Sequence, residues 1–402
     1  MPTSPLPTPV VDGRVDTASL SPRLLAVLSL CAGAAVANLY YAQPLLAMMG
    51  RELDAPTHAG WIAVATQVGY TLGIAFVLPL GDLLDRRQLT LAIVAVLACA
   101  WLGCALAPGL NALVVASVLV GFGSVVTQIM VPLAADLAAP AQRARAVGVV
   151  FSGILAGILL ARTLSGAVGQ WLGWRAMFAI AALLALGLGG LIAATLPRLK
   201  PKTSQPYPAL LASMWHLFRR HRSLQLACAI QACVFAVFSA FWSVLALHLA
   251  QPPFELGAAA AGAFGLVGLV GVLAANRGGR VIDRVGPRHS LLFGLLCCVL
   301  AFVLFAADDS VRGLIVGVVL LDLGLSVANV ANQSRVMGLE PEARSRINTL
   351  YVTSMFLGGA SGSAAASAAW AARGWPAVCG IGLFGAALGL LIHLLARPRA
   401  GR

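Results

Sequence analysis

The sequence predicts an all-α membrane protein in which twelve transmembrane helices form two pseudo-symmetric bundles of six. Three observations support this fold class. Hydrophobic residues make up 60% of the 402 residues and charged residues only 10%, the apolar stretches are about 20 residues long, and landmark residues recur halfway along the chain. A water-soluble domain of this composition would expose large apolar patches, whereas a bilayer solvates them.

Each of the twelve helices is assigned to one apolar stretch, because crossing the hydrocarbon core takes about 20 residues. In the first half the predicted segments are 24–48, 60–80, 89–107, 112–135, 147–169 and 176–196. In the second half they are 224–249, 257–276, 289–307, 313–334, 348–371 and 376–396.

A polar linker separates the two predicted bundles. It contains four prolines and ends in a basic cluster, and its stretch 209–218 is expected to form a short helix on the membrane surface. The predicted organisation is therefore a cytoplasmic tail at 1–22, a bundle at 23–196, the linker at 197–223, a second bundle at 224–396 and a cytoplasmic tail at 397–402.

The basic residues predict the orientation of the helices. If both termini are cytoplasmic, 22 of the 27 lysines and arginines fall on the cytoplasmic side, which is the asymmetry that membrane insertion produces. The frequent use of alanine and arginine is typical of a GC-rich bacterium, so we expect the protein in the cytoplasmic (inner) membrane. Because the charges lie in short clusters between apolar stretches, the net charge of +13 does not indicate a nucleic-acid partner.

No catalytic, metal or cofactor motif is found. The sequence contains no phosphate-binding loop, no nucleophile elbow and no histidine pair with metal-ligand spacing. The eight cysteines lie within apolar stretches and are interpreted as small hydrophobic residues. We therefore expect neither an enzyme nor a bound cofactor or metal, and any uphill transport would use an ion gradient.

The two halves repeat each other at a shift of 201 residues. The turn Gly173–Trp174 coincides with Gly374–Trp375, and Gly157 coincides with Gly358. Two parallel six-helix repeats around an axis along the membrane normal are an architecture used by transporters.

Two loops carry a resemblance to a known family, the major facilitator superfamily. Its G-x-x-x-D-R-x-G-R-R motif resembles the loops after the second and the eighth predicted helices, and the likeness extends over the chain after residue 20. The matching residues are Gly81, Asp85 and Arg86 in the first loop and Gly279, Asp283 and Arg284 in the second. In the first loop, Gln88 stands where the motif has glycine.

The resemblance implies that these loops form a cytoplasmic gate. Asp136 is similar to the family's acidic residue that partners the first loop, and both loop aspartates are expected to cap helices or to pair with arginine. The alternative is that these charges only anchor loops and set the topology. Within the superfamily, the chain most resembles the twelve-helix drug–proton antiporters and sugar-efflux transporters, although Arg162 replaces the proline of the antiporter motif in the fifth helix.

Arg162 and Asp322 are the two charges predicted at membrane depth, where each costs about 2.5–3.5 kcal/mol on insertion scales. Asp322 is expected to take a proton or pair with a cationic substrate, and Arg162 to tune that group or hold an anionic one. The alternative is a permanent buried ion pair that holds the halves together.

Polar and aromatic residues at helical spacing predict a cavity between the helices. The alternatives are hydrogen bonds between helices and, for the aromatic residues, a belt at the membrane interface. The predicted lining residues, besides the two charges, are Asn38, Tyr41, Gln67, Gln128, Gln231, Trp242 and Asn329.

We therefore expect a monomeric secondary transporter that exports a small organic compound in exchange for protons. Its expected partners are the lipid bilayer, the small-molecule substrate and protons. Uptake by proton symport on the same fold remains open, because direction is not encoded in the helices. A membrane sensor or scaffold that does not transport is the alternative from another class.

Overall fold

The computed structural model describes residues 21–198, 206–268, 285–340 and 343–396, and the regular elements in these ranges are all helical. The described helices form twelve passages, each lying in one of the predicted membrane-spanning segments, and the eighth (257–276) is described only to Gly268. This confirms the predicted fold class. Nine of the described helices are long and apolar enough to cross a membrane, and two further apolar helices are shorter.

The first half of the chain contains six of these passages, and some of them are divided into shorter helices. Its elements are α1 (Pro22–Ala37), a 3-10 turn (Gln43–Leu45), α2 (Leu46–Glu52), α3 (Gly60–Leu72), α4 (Arg86–Ala105), α5 (Leu110–Gly123), α6 (Val126–Leu137), α7 (Arg143–Leu172) and α8 (Trp174–Thr195).

Two of the predicted continuous helices are interrupted next to prolines. The first passage stops at Ala37 and resumes as α2 after a 3-10 turn that contains Pro44. The second passage continues from α3 into a π-helical turn, Gly73–Val77, and a 3-10 turn that contains Pro79. Proline lacks an N–H donor and its ring clashes with the preceding turn, so α-helix geometry gives way beside it.

The linker forms α9 (Tyr207–Arg220), slightly longer than the predicted surface helix. Its apolar face buries Met214 and Leu217, while Trp215 stays exposed. The hydroxyl of Tyr207 donates to the carbonyl of Phe76 at 2.8 Å. Since α9 also packs against two helices of the second half, it contacts both halves.

The second half contains the other six passages, one of which, α14, is rich in glycine, alanine and serine. Its elements are α10 (Arg222–Leu249), α11 (Ala258–Gly268), α12 (Pro287–Ala307), α13 (Val311–Met337), α14 (Arg344–Arg373) and α15 (Trp375–Leu395).

Glycines set equivalent helix contacts in the two halves. In the first half, a Cβ at Gly157 would collide with the backbone of Gly33, so α7 lies directly on α1. In the second half, a Cβ at Gly358 would collide with the backbone of Ala232, so α14 lies on α10 in the same way. Small residues allow such close approach between helices in a bilayer, and their recurrence supports the predicted repeat.

The recurring Gly–Trp turns share a backbone conformation. Gly173 has φ +84° and Gly374 has φ +66°, a region in which a side chain is strained. In both turns the following tryptophan, Trp174 or Trp375, is buried. The sequence repeat is therefore also a structural repeat.

The bundle has two ends, which we name by their residues. The basic end carries the loop 81–87, α9 and the start of α14, and the opposite end carries the starts of α3 and α11. At the opposite end the halves are in direct contact. Thr163 Oγ1 donates to the carbonyl of Gly262 at 3.3 Å, and Gln67 Nε2 donates to Ser363 Oγ at 2.8 Å.

Candidate functional site

Arg162 is buried inside the bundle, with only 3% of its surface exposed. Its guanidinium carbon is 3.9 Å from the ring centroid of Trp242 and 4.4 Å from that of Tyr40. Its Nε donates to Gln43 Oε1 at 2.8 Å. Stacking on aromatic faces and one hydrogen bond therefore hold the charged group in a fixed plane.

Asp322 is also buried, and it lies in α13 of the second half. The helix α11 passes close to both charges, because a Cβ at Gly265 would lie 3.1 Å from Arg162 Cβ and one at Gly268 would lie 3.0 Å from Asp322 Oδ2. Glycine at these two positions leaves room for both charged side chains.

The two charges do not form a direct ion pair in the described part of the chain. The salt bridges found there join other residues. Arg162 Nη2 and Asp322 Oδ2 are buried and have no hydrogen-bond partner among the described residues. Each charge thus keeps one polar atom available for a ligand, a water molecule or a proton.

A cavity of about 10 Å³, room for about one water molecule, adjoins the arginine. Ligand sites for drug-sized molecules are larger, about 300–1,000 Å³, so the site is nearly filled in this conformation. Its lining residues are Gln43, Pro44, Arg162, Trp242, Leu245, Ala246 and Ala261.

The predicted aromatic lining residues, Tyr41 and Trp242, lie inside the molecule together with Tyr40. Tyr40, Tyr41 and Trp242 are all less than 9% exposed, so they do not form a belt at the membrane interface. Tyr41 packs on Trp101 at a ring separation of 5.9 Å, while Tyr40 and Trp242 flank Arg162. Of the three, Tyr40 and Trp242 therefore reach the charged centre.

Asn38 and Gln67 contact other side chains rather than the cavity beside Arg162. The carboxamide oxygen of Asn38 accepts from Trp101 Nε1 at 2.7 Å, and its nitrogen donates to backbone carbonyls of α1. Gln67 reaches Ser363 in the other half and keeps a buried oxygen without a partner among the described residues.

The remaining predicted polar residues lie in two further places. Gln128 Nε2 donates to Tyr70 Oη at 3.1 Å, and Asn329 Oδ1 accepts from Tyr351 Oη at 3.1 Å. Gln128 and Asn329 are repeat equivalents, and both are half-buried. Gln231 is fully buried, and neither polar atom of its side chain has a partner among the described residues.

The first loop has the contacts that the family resemblance implies. Arg86 Nη1 lies 2.7 Å from Asp136 Oδ2, and Arg86 Nε donates to the carbonyl of Gly81 at 2.9 Å. Asp85 caps α4 by accepting from the backbone N–H groups of Arg87 and Gln88. These contacts tie the loop to the end of α6, and its role as a gate stays a prediction.

The second loop residues Gly279, Asp283 and Arg284 lie outside the described residues. Just beyond them, Gly286 has φ +85° and precedes α12. The first loop has Gln88 at the equivalent position, and there Asp85 starts the helix three residues earlier. In the loop that lacks this glycine, the helix therefore starts three residues earlier than in the other half.

Several contacts were not predicted from the sequence. Gln43 and the glycines of α11 position the two charges, and the spacing of Gly262, Gly265 and Gly268 was an available signal for close packing. At the basic end, His221 Nε2 lies 2.7 Å from Glu340 Oε1. This hydrogen bond holds the pKa of Glu340 below its ordinary value.

Known proteins resemble the chain over most of its length. The model of the Major Facilitator Superfamily matches residues 25–307 and 278–402. The "Uncharacterized transporter YgaY" of Escherichia coli is 38% identical over 93% of this chain and 95% of its own length. The "Probable transporter SCO4007" of Streptomyces coelicolor is 34% identical over 94% of this chain and 90% of its own.

More distant similarities agree with the fold. The "Probable sugar efflux transporter" of Pasteurella multocida is 26% identical over 65% of this chain and 63% of its own length. The crystal structure of a mutant of the nucleoside transporter NupG superposes with a TM-score of 0.72 and 16% identity, over 92% of this chain and 97% of that chain. The chain belongs to the Major Facilitator Superfamily and is a membrane transporter rather than an enzyme.

Proposed function

We propose that this protein moves a small organic compound across the cytoplasmic membrane by alternating access and that Asp322 carries the coupling proton. The observation that carries the proposal is a buried carboxylate with one oxygen unpartnered among the described residues, in the half opposite to a buried arginine. A charge at this depth is costly, and a functional role accounts for retaining it.

Proton transfer is what this environment favours at Asp322. A carboxylate in an apolar site loses its desolvation penalty when it takes a proton. The positive charge of Arg162 stabilises the ionised form, so both protonation states have a compensating interaction. Asp322 corresponds to Gly121 in the first half. Only the second half therefore has a carboxylate at this position of the repeat.

Two directions of coupling are candidates. Efflux by proton exchange is the expectation from the family resemblance, and the relative named as a sugar efflux transporter is consistent with it. Proton symport is favoured by a specific observation, the unpartnered donor atom of Arg162 beside the cavity. An anionic cargo bound there would accompany a proton rather than compete with one.

The test needs a transported compound first. Growth of a bacterial host on a panel of organic compounds, with and without expression of the protein, identifies compounds whose toxicity or uptake changes. Radiolabelled flux of such a compound into proteoliposomes is then measured under an imposed pH gradient. Exchange predicts that cargo moves against the proton flow, and symport predicts that both move together.

Replacement of the proton carrier decides the role of Asp322. We expect Asp322→Asn to abolish gradient-driven flux, because an amide cannot take up and release the coupling proton. Asp54→Asn is the matched control, since Asp54 is exposed and has φ +51°, which asparagine tolerates. If Asp322→Asn keeps wild-type accumulation under the gradient, Asp322 is not the proton carrier.

A further inference from the structure

We propose that Arg162 and Trp242 bind a carboxylate group of the transported compound. The inference rests on the proposed function, because it names the chemical class of the cargo for that transporter. It starts from two donor atoms of one site, Arg162 Nη2 and Trp242 Nε1.

Both donor atoms are buried and have no acceptor among the described residues. The two residues line the same cavity, and they are 3% and 2% exposed. A buried donor without a partner is destabilising, and more so when it is charged. A ligand that supplies acceptor oxygens to both donors removes that cost.

The arginine is positioned before the ligand arrives. Tyr40 and Trp242 stack on its guanidinium group, and Gln43 accepts the hydrogen bond from Nε. Nη2 is left without an acceptor among the described residues. A carboxylate can serve both donors of the site, because it has two oxygens and accepts strong, charge-assisted hydrogen bonds from a guanidinium. Since little side-chain freedom remains to be lost on binding, the affinity gains from preorganisation.

The other walls of the cavity limit the rest of the cargo. Pro44, Leu245, Ala246 and Ala261 present apolar surface. In this conformation the cavity measures only about 10 Å³, so a cargo molecule enters only when the surrounding helices move apart. The apolar lining therefore favours a monocarboxylate with an apolar body over a sugar, which would bring several hydroxyl groups without polar partners.

Charge balance links this site to Asp322. The described titratable or charged groups that face Asp322 are Arg162, Tyr40 and Cys298. Without cargo, the buried arginine is balanced by ionised Asp322. When a carboxylate binds, the site would hold two negative charges against one positive charge, and uptake of one proton by Asp322 restores neutrality. Cargo and proton then travel together.

Binding to the purified full-length protein in detergent tests the carboxylate site. Isothermal titration compares acetate, propanoate and benzoate with acetamide, propanamide and benzamide, which have similar shapes but no charge. We expect at least one carboxylate to bind tenfold or more tightly than its amide. If none of the three carboxylates exceeds its amide, the proposal is wrong.

Two substitutions test the roles of Arg162 and Trp242 as donors to the carboxylate. Arg162→Gln removes the charge and is expected to weaken carboxylate binding by tenfold or more. Trp242→Phe keeps an aromatic ring beside the guanidinium but lacks the indole N–H, and we expect a three- to tenfold loss. Wild-type affinity in either variant overturns the role given to that donor. Unchanged thermal unfolding of each variant shows that binding is compared between folded proteins.

The proton count separates this inference from the proposed function. In weakly buffered solution with a pH indicator, the tightest-binding of the three carboxylates is expected to take up about one proton on binding to the wild-type protein and none on binding to Asp322→Asn. If carboxylates do not bind while Asp322→Asn still abolishes gradient-driven flux of another compound, the cargo class is wrong and the transporter proposal stands. If carboxylates bind at Arg162 without proton uptake, the coupling to Asp322 is wrong.

Discussion

At the scale of single residues, Asn38 shows how a polar side chain within a membrane helix is used. It was predicted to line the cavity, and it lies where α1 ends, with 5% of its surface exposed. Its oxygen accepts from Trp101 Nε1, and its nitrogen donates to the carbonyls of Ala34 and Ala35. These contacts join α1 to α4, so a structural role is favoured over contact with cargo.

Asn38→Ala is therefore expected to destabilise the fold. The substitution leaves the Trp101 N–H buried without its acceptor, which costs about 1–3 kcal/mol. The free energy of unfolding in mixed detergent micelles measures the effect, and Asn111→Ala, at an exposed position of α5, is the control. Unfolding free energies that agree between the two variants, together with lost transport in Asn38→Ala, would assign Asn38 to the cargo path instead.

At the scale of helices, close packing between glycine-containing surfaces holds each half together. In a bilayer the lipid tails are as apolar as the side chains, so van der Waals contact between helices carries much of the association. The contact of α7 with α1 at Gly157 and that of α14 with α10 at Gly358 are examples. The small residues around Gly157 and Gly358 indicate close packing of these helices in the sequence, but not which helix is the neighbour.

Gly157→Ala is expected to lower stability by roughly 1–3 kcal/mol, as for other overpacked positions. Its added methyl group meets the backbone of Gly33, which cannot rotate away. Gly187→Ala is the matched control, since nothing lies within 4 Å of its Cβ position and alanine favours a helix over glycine. Thermal unfolding in detergent compares the two variants, and equal midpoints would show that α1 and α7 are not tightly packed there.

At the scale of the whole molecule, the proposed alternating access requires the contacts at the opposite end to open. Gly60 begins α3 in the first half, and Ser367 lies late in α14 of the second half. The Cβ position at Gly60 is 3.1 Å from Ser367 Cβ, close to the separation of about 3.5–4.5 Å found in disulfides. A cross-link at this point would join the two halves.

The double variant Gly60→Cys with Ser367→Cys is therefore expected to form a disulfide under mild oxidation and to stop transport. A reductant should restore the flux, while the two single variants should transport under both conditions. The eight native cysteines are free thiols, so oxidised wild-type protein serves as a further control. Full transport by the cross-linked protein would contradict opening at this end.

Much of the fold was predictable because its determinants are local or periodic. The length of the apolar stretches gives the passages, and the recurrence of Gly173–Trp174 at Gly374–Trp375 gives the two halves. The interruptions at Pro44 and Pro79 were missed, although proline is a known signal for them. The helices are predicted from hydropathy, which does not detect that a proline lacks a backbone N–H donor.

The candidate site was predictable only in part. Arg162 and Asp322 stand out because a charge at membrane depth is rare. Arg162 stacks between Tyr40 and Trp242, which lie about 120 and about 80 positions away along the chain. Such contacts depend on how helices pack. Hydropathy and helical spacing show which face of a helix is polar, but not which helix packs against it. The structure is therefore needed to find the buried donors of Arg162 and Trp242 that lack acceptors.

The repeat has a consequence for how such a site can arise. At the shift of 201 residues, Arg162 corresponds to Ser363 and Asp322 to Gly121. An assembly of two identical six-helix subunits would place each charge twice around the symmetry axis. In a single chain that contains both copies, one copy can change without the other, so the fused repeat permits a single arginine with a single aspartate.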